Sequence, residues 1–156
     1  MGTERSEFEK KLLAIFQSEA QGHLNGIVLG LIDLEKPIST RQHDALVVNI
    51  FRETHSLKGA ARSVDLPDIE EICQALENVF SAAKRGEIVL THDIILILRD
   101  SVGVLEMLLA GKKAEIRDAL KKSRDLIPVL EKISQEIPAF PIQNEETDLE
   151  SEPEKM

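Results

Sequence analysis

The chain has 156 residues, 42% of them hydrophobic and 30% charged, which is enough for one domain with a hydrophobic core plus a tail. Its aromatic residues are five Phe with no Trp or Tyr, so the core must be built from Leu, Ile, Val and Ala, a composition that suits packed helices better than a β-sandwich. The net charge of −9 argues against general nucleic-acid binding, with the acidic excess concentrated in segment 139–156 and a mildly acidic remainder.

Five segments carry the 3.6-residue apolar period, and none sustains a two-residue alternation. The first predicted helix runs from about Ser6 to Lys36, through Phe8, Leu12, Ile15, Phe16, Leu24, Ile27, Leu31 and Leu34. Ser6 followed by Glu9 reads as a capping-box start, and Pro37 ends the segment. The second runs from about Arg41 to Val64, with Leu46, Ile50, Leu57, Ala61 and Val64 on one stripe. Asp65-Leu66-Pro67-Asp68 is a stop and restart, in which Asp65 tolerates left-handed backbone and Asp68 is expected to cap the next helix.

The third helix is predicted over Asp68 to Arg85, ended by Gly86. The fourth starts at a Thr91 cap and runs to about Ala110, with Gly111 behind it. Its run Ile94 to Leu98 has a strand-like look, but the continuation through Val102, Leu105, Leu108 and Leu109 makes it helical. The fifth runs from about Lys113 towards Gln135, and Pro128 inside it should kink or split it. The expected fold is therefore all-α: an up-down bundle of five helices with a four-helix core, one domain over residues 1–138. Residues 139–156, with six acidic groups and Lys155 as the one base, are expected to be a disordered acidic linker or tail.

A lone cysteine, Cys73, excludes an internal disulfide. The N-terminus has no apolar signal core and no apolar run approaches about 18 residues, so no membrane insertion is expected and a cytoplasmic location is the default.

Of the four histidines, His55 stands out. It falls roughly 140° from Ile50 on the helical wheel, so it should point out of the core. Its neighbours on that side are Phe51, Lys58, Gly59 and Arg62. A neutral imidazole nitrogen is a competent nucleophile near neutral pH. Lys58 and Arg62 would offset the negative charge of an arriving phosphoryl group. Gly59 in mid-helix costs about 1 kcal/mol against Ala, which makes sense if something must approach the backbone closely. On the third helix, Glu77 lies at the edge of the apolar stripe, where it can accept a hydrogen bond from His55 Nδ1 and leave Nε2 free. Each feature alone has an ordinary explanation as a solvated face or a surface carboxylate; only their coincidence points to chemistry.

The run His55-Ser56-Leu57-Lys58-Gly59-Ala60-Ala61 resembles the phosphoacceptor motif of histidine phosphotransfer domains. More narrowly, the chain is similar to the N-terminal phosphotransfer domains of the CheA-type chemotaxis kinases. The similar segments are Phe16 to Ala20 with His23-Leu24 and Leu34-Glu35, then Phe51-Arg52, Leu76-Glu77-Asn78, Lys84-Arg85-Gly86-Glu87 and Asp93-Ile94-Ile95. The resemblance covers roughly residues 5–135. It implies a five-helix bundle whose His55 is phosphorylated at Nε2 by a separate kinase domain that uses ATP and Mg²⁺, with no cofactor in this chain. It also implies transfer to an aspartate of a response-regulator receiver domain. By the same resemblance, Lys58 is the supporting lysine, Gly59 the approach glycine and Glu77 the orienting glutamate.

Where such domains often carry a second histidine one turn before that glutamate, this chain has Gln74, which keeps hydrogen-bonding capacity but changes the proton network. Arg62 stands where a small glycine is common, near the phosphate, and Asp65 where the loop glycine is usual. A non-catalytic adaptor that docks a receiver without transfer is the alternative; Lys58, Gly59 and Glu77 in register disfavour it. A metal-carboxylate bundle needs Glu-x-x-His pairs, and residues 20, 40, 52 and 89 are Ala, Thr, Arg and Val, so no metal site is expected.

Overall fold

Each helix boundary has a local cause. Ser39 has extended backbone, its Oγ accepts from the Gln42 amide at 3.1 Å, and the Gln42 side chain accepts from the Ser39 amide at 3.0 Å. This reciprocal cap fixes the start of the second helix. Asp65 takes a left-handed conformation (φ 58°) and closes it, and Pro67 then occupies the first turn of the third, where its missing N–H costs nothing. Thr91 caps the fourth helix by accepting from the Ile94 amide, and Gly111 at φ 76° ends it.

The computed structural model describes residues 2–136, and they form five helices: α1 (Gly2–Leu34), α2 (Thr40–Ser63), α3 (Pro67–Lys84), α4 (His92–Ala110) and α5 (Lys113–Gln135). The expected all-α bundle is the observed one. The acidic segment 139–156, expected to be a linker, lies outside the described residues.

Three local expectations are corrected. The Ser6 and Glu9 capping box does not form, because α1 already begins at Gly2 and Ser6 lies inside it; no proline interrupts residues 2–5, and Glu4 favours the positive helix start. Asp68 does not cap α3: the cap position is Leu66, without a side-chain bond, and Asp68 and Glu70 instead place negative charge in the first turn. Pro128 does not split α5, which continues to Gln135. Its ring lies on the exposed side, and the lost hydrogen bond to the Arg124 carbonyl is borne by one turn of an amphipathic helix held by Leu130 and Ile133.

Helices α1 to α4 close a four-helix ring, α1 against α2, α2 against α3, α3 against α4 and α4 against α1, and α5 packs outside it on α3 and α4. The centre holds Leu24, Ile27, Leu31, Ile50, Leu57, Ile72, Leu76, Phe80, Leu98 and Leu105. α1 and α2 approach closely at Gly30, where an added Cβ would lie 2.5 Å from Ile50 Cγ1. Burial on α1 begins at Phe16; Phe8, Leu12 and Ile15 of the same apolar series stay exposed. Among the described residues, no helix is long and apolar enough to cross a membrane.

Candidate functional site

The pairing of α2 with α3 sets the site. On α2 the buried stripe is Val47, Ile50, Thr54, Leu57 and Ala61; the Thr54 hydroxyl is satisfied by donating to the Ile50 carbonyl at 2.8 Å. His55, one residue past Thr54, leaves that stripe, and its side chain is 63% exposed. On α3, Leu76 and Phe80 go into the core, and Glu77 at their edge is only 11% exposed.

The two side chains meet: His55 Nδ1 lies 2.5 Å from Glu77 Oε2. An ionised carboxylate can only accept, so Nδ1 carries the proton and donates it, and Nε2 is left with its lone pair. The other Glu77 oxygen, Oε1, accepts from Lys58 Nζ at 2.7 Å. Burial pushes the Glu77 carboxyl up, but hydrogen bonds from Lys58 and then His55, with the charge of Lys58, outweigh it and hold the group below its usual range. Glu77 is therefore an anion at neutral pH, neutralised by one lysine, with its second oxygen reserved for the imidazole.

Lys58 departs from expectation. The sequence places it on the solvent face beside His55, ready for the phosphoryl group; in the structure it is 11% exposed and turned into the α2–α3 seam. The wheel explains this, since Lys58 falls roughly 60° nearer the apolar stripe than His55 does. Its stem packs over the seam, and its ammonium finds the carboxylate that burial requires.

Gln74 completes the inner network. Its Oε1 accepts from Lys58 Nζ at 3.1 Å, and its Nε2 donates to Asn78 Oδ1 at 2.9 Å and more weakly to Glu77 Oε1 at 3.4 Å. Arg62 is not part of the cluster: its Nε donates to Glu70 Oε2 at 2.6 Å, towards the start of α3. Gly59 is exposed, and a Cβ built there would meet no heavy atom within 4 Å. No intramolecular packing requires that glycine. Phe51 is half-buried one turn before His55, its ring nearly parallel to the imidazole (11°) with centroids 6.3 Å apart.

His55, Glu77, Lys58, Gln74 and Phe51 thus come together, Gly59 lies open beside them, and Arg62 stands apart. Two participants carried no assigned role in the sequence. Asn78 holds Gln74, as its i+4 spacing allows, and Lys84 places Nζ 4.3 Å from the Phe51 ring centroid. Lys84 follows Glu77 by seven residues, two turns along the same side of α3, and that spacing was the available signal. Cys73 is also near, but burial first and the Glu77 charge second push its thiol up to about 12, so it stays protonated.

The arrangement leaves an exposed ring with one lone-pair nitrogen, a group that can act as a nucleophile. Attack through Nε2 makes the ring cationic, and Glu77 sits where that charge develops.

The family model described as the Hpt domain matches residues 11–137. Curated relatives include the Chemotaxis protein CheA of Bacillus subtilis, 31% identical over 121 residues, covering 78% of this chain and 17% of that protein. The Chemotaxis protein CheA of Salmonella typhimurium is 35% identical over 108 residues, 67% of this chain and 15% of that protein. That of Borreliella burgdorferi is 28% identical over 101 residues, 65% of this chain and 11% of that protein. The chain therefore spans only a small part, between 11% and 17%, of the length of these relatives. No solved structure gives a significant match.

Proposed function

The chain belongs to the Hpt domain family, and on that premise we propose that it carries a phosphoryl group on His55 in chemotaxis-type two-component signalling. The observation that carries the reading is the 2.5 Å contact from His55 Nδ1 to a buried Glu77, with the imidazole otherwise open to solvent.

The step is a double displacement. The Nε2 lone pair attacks phosphorus, the P–O bond to the donor breaks, and its electron pair leaves with the donor's oxygen. The ring keeps its Nδ1 proton, and the positive charge it gains is balanced by Glu77. In the return step a carboxylate oxygen of a receiver-domain aspartate attacks phosphorus, the N–P bond breaks, and the pair returns to Nε2. Lys58 acts one step removed in this scheme: it holds Glu77 ionised and immobile. Gly59 leaves backbone bare beside the imidazole, so that a partner's active-site rim can come close.

The donor on this reading is a separate histidine-kinase domain, which binds the ATP and Mg²⁺; the acceptor is a response-regulator receiver domain. Both the names of the relatives and the exposure of His55 support protein partners over a small enclosed substrate. The test uses the full chain, the isolated kinase core of a CheA-type protein and radiolabelled ATP. Wild-type chain acquires acid-labile, base-stable label and hands it to a receiver domain, while His55→Gln acquires none and keeps its helicity. Full labelling of His55→Gln would remove the proposal. Binding of a receiver without transfer under any condition would favour a docking adaptor in its place.

A further inference from the structure

With Lys58 turned inwards, the charge that meets a phosphoryl group on Nε2 has to come from elsewhere. Arg62 is held by Glu70, and Arg85 donates from Nε and Nη2 to Glu87, each at 2.9 Å. Arg52 is exposed three residues before His55, but among the described residues no contact holds it near the ring. Lys84 is different. Its ammonium rests on the face of Phe51, 4.3 Å from the centroid, and Phe51 is the ring stacked beside His55. Among the described residues no carboxylate pairs with Lys84, and the residue is exposed. A cation held by an aromatic face is attracted weakly enough to be released to a doubly charged anion.

We infer that Lys84, stored on the Phe51 ring, moves onto the phosphoryl group as it reaches His55 Nε2 and supplies the positive charge that Lys58 does not. The inference rests on the reading of His55 as the phosphoacceptor and assigns the electrostatic partner within it. Phe51 is then a shelf with two functions, aligning the imidazole and parking the ammonium. The seven-residue spacing from Glu77 to Lys84 puts both ends of the device on one side of α3. Glu77 steadies the proton-bearing nitrogen, and Lys84 waits for what arrives at the other.

The experiment uses phosphoramidate as the phosphoryl donor and reads phosphohistidine at each position by mass spectrometry, at low and high salt. Its P–N bond breaks as Nε2 attacks, and ammonia leaves. His23, His43 and His92 serve as internal references in the same molecule. Lys84→Met keeps an apolar stem on the Phe51 ring and removes the charge; it is expected to slow labelling of His55, relative to the three references, by about three- to tenfold at low salt. Lys84→Arg should stay near wild type, the wild-type advantage should shrink as salt rises, and Arg52→Met should change the ratio less than Lys84→Met does. Equal relative rates in wild type and Lys84→Met would overturn the inference, as would a Lys84→Arg variant as slow as Lys84→Met. Neither result touches the phosphoacceptor reading, which stands or falls on His55→Gln with the kinase core.

Discussion

Glu77 serves two partners at once, and the consequences of changing it follow from that. Replacing it by Gln leaves a nearly buried ammonium without its anion, which costs about 3 kcal/mol in urea unfolding at neutral pH. The sign of the pH dependence is fixed by the direction of its shift. A carboxyl held below its ordinary range contributes fully above its unfolded value near 4.3, and the contribution is lost as pH falls through the lower folded value. The stability gap between wild type and Glu77→Gln should therefore be constant from about pH 7 to pH 5 and close in stronger acid. A gap that widened on acidification would contradict the ion pair. Gly59 gives the opposite kind of prediction. Ala there meets nothing within 4 Å, so Gly59→Ala should stabilise α2 by about 0.5–1 kcal/mol while slowing transfer to a receiver. A variant both more stable and equally fast would show that the bare backbone has no role in docking. At this scale the histidine and glutamate were legible in the sequence, because a wheel places exposed and edge positions well. The role of Lys58 was not, because a long flexible stem near a stripe can turn either way, and only the facing helix decides.

At the scale of the elements, the two halves of the α1–α2 seam predict different sensitivities. Gly30 faces Ile50, a branched core residue with no room to move, so Gly30→Ala should cost about 1–3 kcal/mol by thermal unfolding. At Gly26 the obstacle is the end of the Glu53 side chain, which can swing away, so Gly26→Ala should mainly break the 2.8 Å contact between His23 and Glu53. That variant should lose less stability than Gly30→Ala; the reverse order would mean the seam is packed otherwise. The elements themselves were well foreshadowed. Thr91, Gly111 and the left-handed Asp65 stand where their chemistry put them. The misses at Ser6 and Asp68 share one cause: a good capping residue is a permission, and a helix that can extend another turn uses the later or earlier start instead. The Ser39 and Gln42 box obeys the same rule, and its signal is the Ser followed three residues on by Gln.

For the molecule as a whole, the working face is confined to α2 and α3, and the other helices hold those two in register. Residues 4–15 of α1 contribute nothing to that, since all of them are exposed. Removing residues 2–10 should leave the thermal midpoint and the labelling of His55 nearly unchanged; loss of either would assign that segment a contact within the bundle. The four-helix ring was expected from apolar periodicity, but which helix would lie outside was not, since every amphipathic stripe reads alike until partners are chosen. The central claim is that Glu77 fixes the imidazole proton on Nδ1 and so directs phosphorus to Nε2. Long-range ¹H–¹⁵N correlation of the ring, before and after phosphorylation by a kinase core, tests it most directly. The account requires the proton on Nδ1 in the free protein and phosphorus on Nε2 afterwards. Phosphorus on Nδ1, or a free ring protonated at Nε2, would contradict it.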